Sequence, residues 1–227
     1  MKVFRYNEID VNNIDIFDGC FLSYHSGGIN GTLIVQTDWI ELVYNRNTWD
    51  ENQMVENVKF PINPDSRTLK ITLDKQQIAC VRLKEHLKKM NEYYSSKKFQ
   101  KQFFGDKIDR CIYQSLIKDI DLDKIPCCVM QFRKNSARDN TTDIIKIMNE
   151  KEISENIKWF PTIAQKINML SKVKLIFEHD NIWTIKCVIE GKKKILYGVS
   201  LRILLIKYIP FVNERCTLHV ISGCDND

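Results

Sequence analysis

K-V-K-L-I-F-E-H-D-N-I-W-T-I-K-C-V-I-E-G-K-K-K-I-L-Y-G-V-S-L-R-I-L-L-I-K-Y-I-P, residues 172–210, is the stretch on which the fold turns. Val173, Leu175 and Phe177 alternate with Lys172, Lys174 and Ile176, the period of two that a half-buried strand requires. Glu178-His179-Asp180-Asn181 has turn composition. After it Trp183, Ile185 and Cys187 share one face, and Thr184, Lys186 and Val188 the other. Glu190-Gly191 opens a second turn, three lysines follow, and a long strand runs over residues 195–209 with Gly198 inside it. A glycine within a strand marks a bulge, a sharp bend or the close approach of another backbone. The pattern predicts a three-stranded meander over 172–209, of the kind that closes small barrels.

Outside this stretch the composition is that of an ordinary globular chain. Of its 227 residues 44% are hydrophobic, and eleven Phe, eight Tyr and four Trp make it aromatic-rich. That length suits one elaborated domain over 1–227. A net charge of +5 permits a nucleic-acid partner without demanding one. The eight cysteines are irregularly spaced with no C-x-x-C pair, and the four histidines are scattered, so the pattern predicts neither a zinc site nor any other cofactor. Cys127 and Cys128 read as a buried pair in an apolar strand. The start of the chain lacks the apolar core of a secretory signal, and no apolar run is long enough to span a membrane. These features predict an intracellular, soluble protein with reduced thiols and no membrane partner.

Taken in order, residues 1–81 read as short strands divided by turn clusters such as His25-Ser26-Gly27-Gly28. Glycines 27, 28 and 31 lack the Gly-Lys-Ser/Thr and following helix of a phosphate loop, so a hairpin is predicted there. Residues 82–110 change character, with nine basic side chains against four acidic. Leu83, Leu87, Met90 and Tyr94 recur at helical spacing, Ser95-Ser96 breaks the helix, and Gly105 caps its continuation. Lys84 and Lys88, then Lys97, Lys98 and Lys101, fall largely off the apolar stripe. They form either a solvated face or a phosphate-tracking surface with interleaved aromatics. Residues 108–117 are predicted helical. Asp119, Asp121 and Asp123 form an acidic turn before a strand over residues 126–132. The polar segment 133–142, carrying Arg133, Lys134 and Arg138, is predicted to be a mobile basic loop. Residues 143–148 are a short strand or helix, Ser154 begins a short helix, Trp159-Phe160-Pro161 bends the chain, and 162–170 is helical. A last strand is expected over 217–221, before a short acidic end with Asp225 and Asp227.

The segment from Tyr197 through Gly198-Val199-Ser200-Leu201-Arg202 to Ile209 resembles the last barrel strand of single-stranded-DNA-binding proteins encoded by phages and large DNA viruses. The resemblance covers about a dozen residues, and about 40 with the preceding hairpin and Trp183. It implies a mainly β fold with added helices (α+β), built as an OB-like barrel elaborated by insertions. It also implies a non-catalytic role in viral DNA replication or recombination, in the host nucleus or cytoplasm, with replication proteins and homo-oligomers as further partners. A sequence-independent binder of single-stranded DNA needs rings for stacking and cations for phosphates. The candidates near the final strands are Lys174, Trp183, Lys186, Lys192, Lys193, Lys194, Tyr197 and Arg202, with Trp183 either core or platform. Two other readings compete. One is a viral structural or scaffold protein. The other is a metal-dependent nuclease using the three aspartates, although no general base or nucleophile motif accompanies them.

Overall fold

The computed structural model describes residues 2–43, 61–118 and 125–211. Two 3-10 turns, Tyr6–Glu8 and Val11–Asn13, lead into β1 (Ile14–Phe17), β2 (Phe21–Ser26) and β3 (Ile29–Gly31). Then come β4 (Leu33–Gln36), β5 (Ile40–Glu41), β6 (Ile62–Asn63) and β7 (Thr68–Thr72). Helices α1 (Ile78–Ser95) and α2 (Lys97–Phe104) follow, with a 3-10 segment at Gly105–Arg110. Next are β8 (Cys111–Tyr113), β9 (Ile117–Lys118), β10 (Cys127–Phe132), β11 (Asp143–Met148), β12 (Lys151–Glu155) and α3 (Phe160–Lys166). Two long strands, β13 (Lys172–Ile189) and β14 (Lys192–Ile209), end the described chain. The described residues form a mainly β fold with three α-helices, the α+β class expected from the sequence.

The meander over 172–209 is a hairpin of two strands, not three strands in series. Glu178-His179-Asp180-Asn181 does not turn. The backbone there is flanked on both sides, with Glu178 opposite Ile34 and His179 opposite Leu33 on β4, and Glu178 opposite Arg202 on β14. Pairing on two sides holds the chain extended against its local preference. The surplus residue is absorbed as a bulge between His179 and Ile182, and a second irregularity lies between Ile176 and Phe177. On β14 the other side is parallel, to β8, β10 and β11. The hairpin is thus the spine of the sheet, whose main path runs β1-β2-β13-β14-β10-β7-β6.

Two other expectations fail for local reasons. Residues 108–117 are not a helix: the 3-10 segment stops at Arg110, and Cys111, Ile112 and Tyr113 pair with Ile195, Leu196 and Tyr197. Ser154 lies in a strand, because Asn149 (φ 50°) and Glu150 (φ 63°) make a two-residue hairpin that turns β11 into β12. The glycine-rich turn behaves as expected: Gly27 and Gly28 join β2 to β3 at φ 59° and 79°. The acidic turn at 119–123, the strand at 217–221 and Asp225 and Asp227 lie outside the described residues.

The core sits between the sheet and α1. Leu83, Leu87, Met90 and Tyr94, the predicted stripe, are fully buried, as are Phe177, Tyr197 and Ile203 on the spine. Ser96 caps α2 by accepting from the Phe99 amide, and Gly105 (φ 57°) ends it. Cys127 and Cys128 are buried. A polar chain crosses the helix–sheet boundary: Tyr94 Oη lies 3.0 Å from His179 Nδ1, and His179 Nε2 lies 3.1 Å from His86 Nε2. Burial lowers the His86 pKa to about 3 and pushes His179 well below its ordinary range, so both imidazoles are neutral. His86 Nδ1 and the Tyr6 hydroxyl are buried and have no hydrogen-bond partner among the described residues.

Candidate nucleic-acid interface

The spine leaves the body of the protein. β2 reaches β13 at Asn181, and β8 reaches β14 over Ile195–Tyr197. Beyond those points, among the described strands, β13 and β14 pair only with each other. They close at Glu190 (φ 50°) and Gly191 (φ 72°), a two-residue turn matched to the twist of the strands. The result is a two-stranded ribbon whose strands differ. On β13 it shows Ile185 (55% exposed) and Val188 (68%) to solvent. On β14, Lys192, Lys193 and Lys194 stand opposite Ile189, Val188 and Cys187. Alternation places Lys192 and Lys194 on the face of Ile185, and Lys193 and Lys186 on the reverse.

Gly198 explains the root of the ribbon. It pairs with Trp183, and the indole lies across it. A Cβ at Gly198 would come within 2.5 Å of the ring. What approaches this glycine is a side chain and not the backbone expected from the sequence, and the two strand irregularities lie elsewhere. Trp183 is half-buried, with the sheet beneath the ring. Register brings two further rings to the same face. Phe21 pairs with Asn181, two residues before Trp183, and Phe17 pairs with Phe21 across the turn at Asp18 and Gly19. Phe17 is 67% exposed and Phe21 43%. The sequence reading missed both. The signal was present as two phenylalanines flanking an Asp-Gly turn, where hairpin pairing puts them on one face.

The predicted cations fall into several places. Phe104 packs edge-on against Tyr197 at 4.9 Å, and Lys194 Nζ donates to the Asp109 carbonyl at 3.3 Å. These contacts seat α2 and its 3-10 extension against the ribbon base. Exposed Lys97, Lys98 and Lys101 thus share one end of the molecule with Lys186, Lys192, Lys193 and Lys194. On α1, Lys88 is exposed and Lys84 half-buried. Lys174 is half-buried opposite Lys207. Arg202 is bonded to Asp180, with Glu178 at 3.8 Å, so its charge is matched within the protein. Burial raises the pKa of both carboxyls, while Arg202 and Arg133 pull them back down.

Tyr197 is a correction. It is fully buried, its hydroxyl donates to the Tyr94 carbonyl at 2.7 Å, and it sits among Phe104 and Tyr113. The ring is core and has no face to offer a base. In segment 133–142, the Arg133 amide donates to Thr142 Oγ1 and the Asp139 amide to Asn135 Oδ1. The segment is a closed, hydrogen-bonded turn, with Arg133, Lys134 and Arg138 exposed. Among the described residues, no group of three or more His, Cys, Asp or Glu side chains is placed to hold a metal ion. Asp119, Asp121 and Asp123 are outside that set. No described helix is long and apolar enough to cross a membrane.

Comparison with known proteins places this chain beside a viral protein and a solved phage structure. An uncharacterized protein, R505, of Acanthamoeba polyphaga mimivirus is 24% identical over 92% of this chain. The chain spans about three-fifths of that relative, 61% of its length. Among solved structures, the chain aligns with the crystal structure of gp2.5, a single-stranded DNA binding protein encoded by bacteriophage T7. That alignment has a TM-score of 0.42 and 9% identity, covering 87% of this chain and 99% of the other. No protein-family model matches.

Proposed function

We propose that the protein binds single-stranded DNA without sequence preference and without catalysis, through the root and flanks of the β13–β14 ribbon on an elaborated OB-like barrel. The observation that carries this reading is the shared face of Phe17, Phe21 and Trp183 beside a strand of three lysines. Exposed rings on a sheet offer stacking surface to any base, and flanking cations track the phosphates. A role in viral DNA replication or recombination, with replication proteins as partners, is the setting this activity fits.

Each part has a duty. Trp183, held flat by Gly198, stacks one base, and Phe17 and Phe21 extend the platform. Lys192 and Lys194 neutralise phosphates on the same face. Lys186, Lys193, Lys97, Lys98 and Lys101 supply the reverse of that end with charge. Titrating a labelled thymidine oligomer over a salt series tests this. Affinity is expected to fall with a log–log slope of about −0.7 per phosphate contacted, and Trp fluorescence to be quenched on binding. Absence of binding even at low salt would remove the proposal.

A further inference from the structure

The most exposed tryptophan among the described residues is not on the ribbon. Trp159 is 68% exposed and precedes α3, whose first turn contains Pro161. It belongs to a hydrogen-bonded assembly of basic segments. The Asn140 amide donates to the Lys158 carbonyl at 2.8 Å, and Asn140 Nδ2 to the Ile157 carbonyl at 2.8 Å. Asn140 therefore pins the 133–142 turn to the chain entering Trp159. Thr142 Oγ1 accepts from the Arg133 amide and donates to the Ile203 carbonyl at 3.0 Å, which fixes the turn to β14. Arg67 lies over the Phe160 ring at 5.6 Å, and its carbonyl accepts from the Phe132 amide at 3.0 Å. Arg67, Arg133, Lys134, Arg138 and Lys158 thus lie on segments joined by these contacts to the chain that carries an exposed indole. Asp139, the acid inside the turn, is bonded back to Asn135.

We infer that Trp159 and the 133–142 turn form a second contact surface for single-stranded nucleic acid, the indole stacking a base and Arg133, Lys134, Arg138 and Lys158 taking phosphates. This inference rests on the nucleic-acid reading of the ribbon. Charge complementarity selects the ligand: an uncovered ring among cations suits a polyanion with aromatic bases. The two surfaces are neighbours on the spine. Arg133 acts on Glu178 and Asp180, and Asp180 is three residues from Trp183. Of the two acids between the surfaces, Asp180 is bonded to Arg202 and Glu178 lies 3.8 Å from the same guanidinium, so Arg202 offsets half of their charge on the path.

The test uses the full chain and a labelled thymidine oligomer, read by fluorescence anisotropy over a salt series. Trp159→Ala is expected to weaken binding about fivefold or more with the salt slope unchanged, and Trp159→Phe to keep most of the affinity. Arg133→Ala/Lys134→Ala/Arg138→Ala is expected to flatten the slope by about 2, at roughly 0.7 per lost phosphate contact. Circular dichroism melting should leave all three variants unchanged, because the side chains are exposed. If the wild type binds and the Trp159→Ala and turn variants bind equally well, the second surface is wrong and the ribbon reading stands. If Trp159→Ala alters oligomeric state while oligonucleotide affinity holds, Trp159 is a protein contact and the inference fails. If the wild type does not bind, both readings fall together.

Discussion

The two ends of the β13–β14 hairpin obey the same alternation and meet opposite fates. Over Lys172–His179 the spine is flanked by β4 and β5 on one side and by β14 on the other, and α1 covers its inner face. Val173, Leu175, Phe177 and His179 are buried there without remainder. Past Trp183 the same two strands carry Ile185, Val188 and Ile189 with nothing described above them. Across the ribbon Ile185 pairs with Leu196, and Val188 and Ile189 pair with Lys193 and Lys192. The difference separates two uses of one pattern. In the body, alternation specifies the fold. In the ribbon, the same alternation leaves apolar side chains that no described residue covers.

The sharpest way to break that comparison is to truncate the same kind of side chain at both ends. Phe177 is fully buried against the His86 and His179 rings. Phe177→Ala is expected to cost about 3–5 kcal/mol in urea denaturation, the range for a buried aromatic that leaves a cavity. A cost below about 1 kcal/mol would mean that the body of the hairpin is loosely packed and that the contrast is false.

How much of this was legible in the sequence follows from the range of the forces involved. The α1 stripe was readable because Leu83, Leu87, Met90 and Tyr94 are spaced by the helix's own geometry. The strandedness of residues 172–209 was readable for the same reason, with a period of two. The extra turn at Glu178-His179-Asp180-Asn181 was misread because its preference was overruled from outside by β4 and β14. Tyr197 was misassigned because its face depends on α2, whose Phe104 covers it. Phe17 and Phe21 were overlooked because their exposure depends on what does not cover them. Gly198 was marked as special, but only the pairing with Trp183 shows why.

A second prediction concerns pH and follows from the buried histidines. The native state holds His86 and His179 neutral, whereas an unfolded chain protonates them near the ordinary value of about 6.5. The unfolded state therefore binds more protons as pH falls below that value, and stability must fall with it. Between pH 7.5 and 5.5 the loss is expected to be on the order of 2 kcal/mol, approaching two protons taken up per unfolding event at the acid end. Glu178 and Asp180, whose raised pKa values act in the opposite sense, reduce this loss to the extent that they titrate within the window. Chemical denaturation at stepped pH measures it, and His86→Gln should approach half the slope. A flat profile over the window would show that the imidazoles are not held neutral, and that the core end of the hairpin is wetter than its burial implies.

The smallest expected effect is the most discriminating for the ribbon. Ile185→Thr/Val188→Thr keeps β-branched side chains, so strand propensity and the lysine register are preserved. Both positions are exposed, so the pair is expected to change stability by less than about 0.5 kcal/mol. Oligonucleotide affinity should also change little if the lysines and the three rings do the binding, because neither residue stacks or carries charge. Suppose instead that stability drops by 2 kcal/mol or more. The apolar edge of β13 would then be buried in solution, either under residues outside the described set or against a second copy of the chain. Sedimentation at two protein concentrations separates those cases, since pairing between copies weakens on dilution and intramolecular cover does not. Either result would place the ribbon with the core rather than against it. The partner-facing role would then pass to the root, where Trp183 and Gly198 are joined to the body by Phe21 and β2.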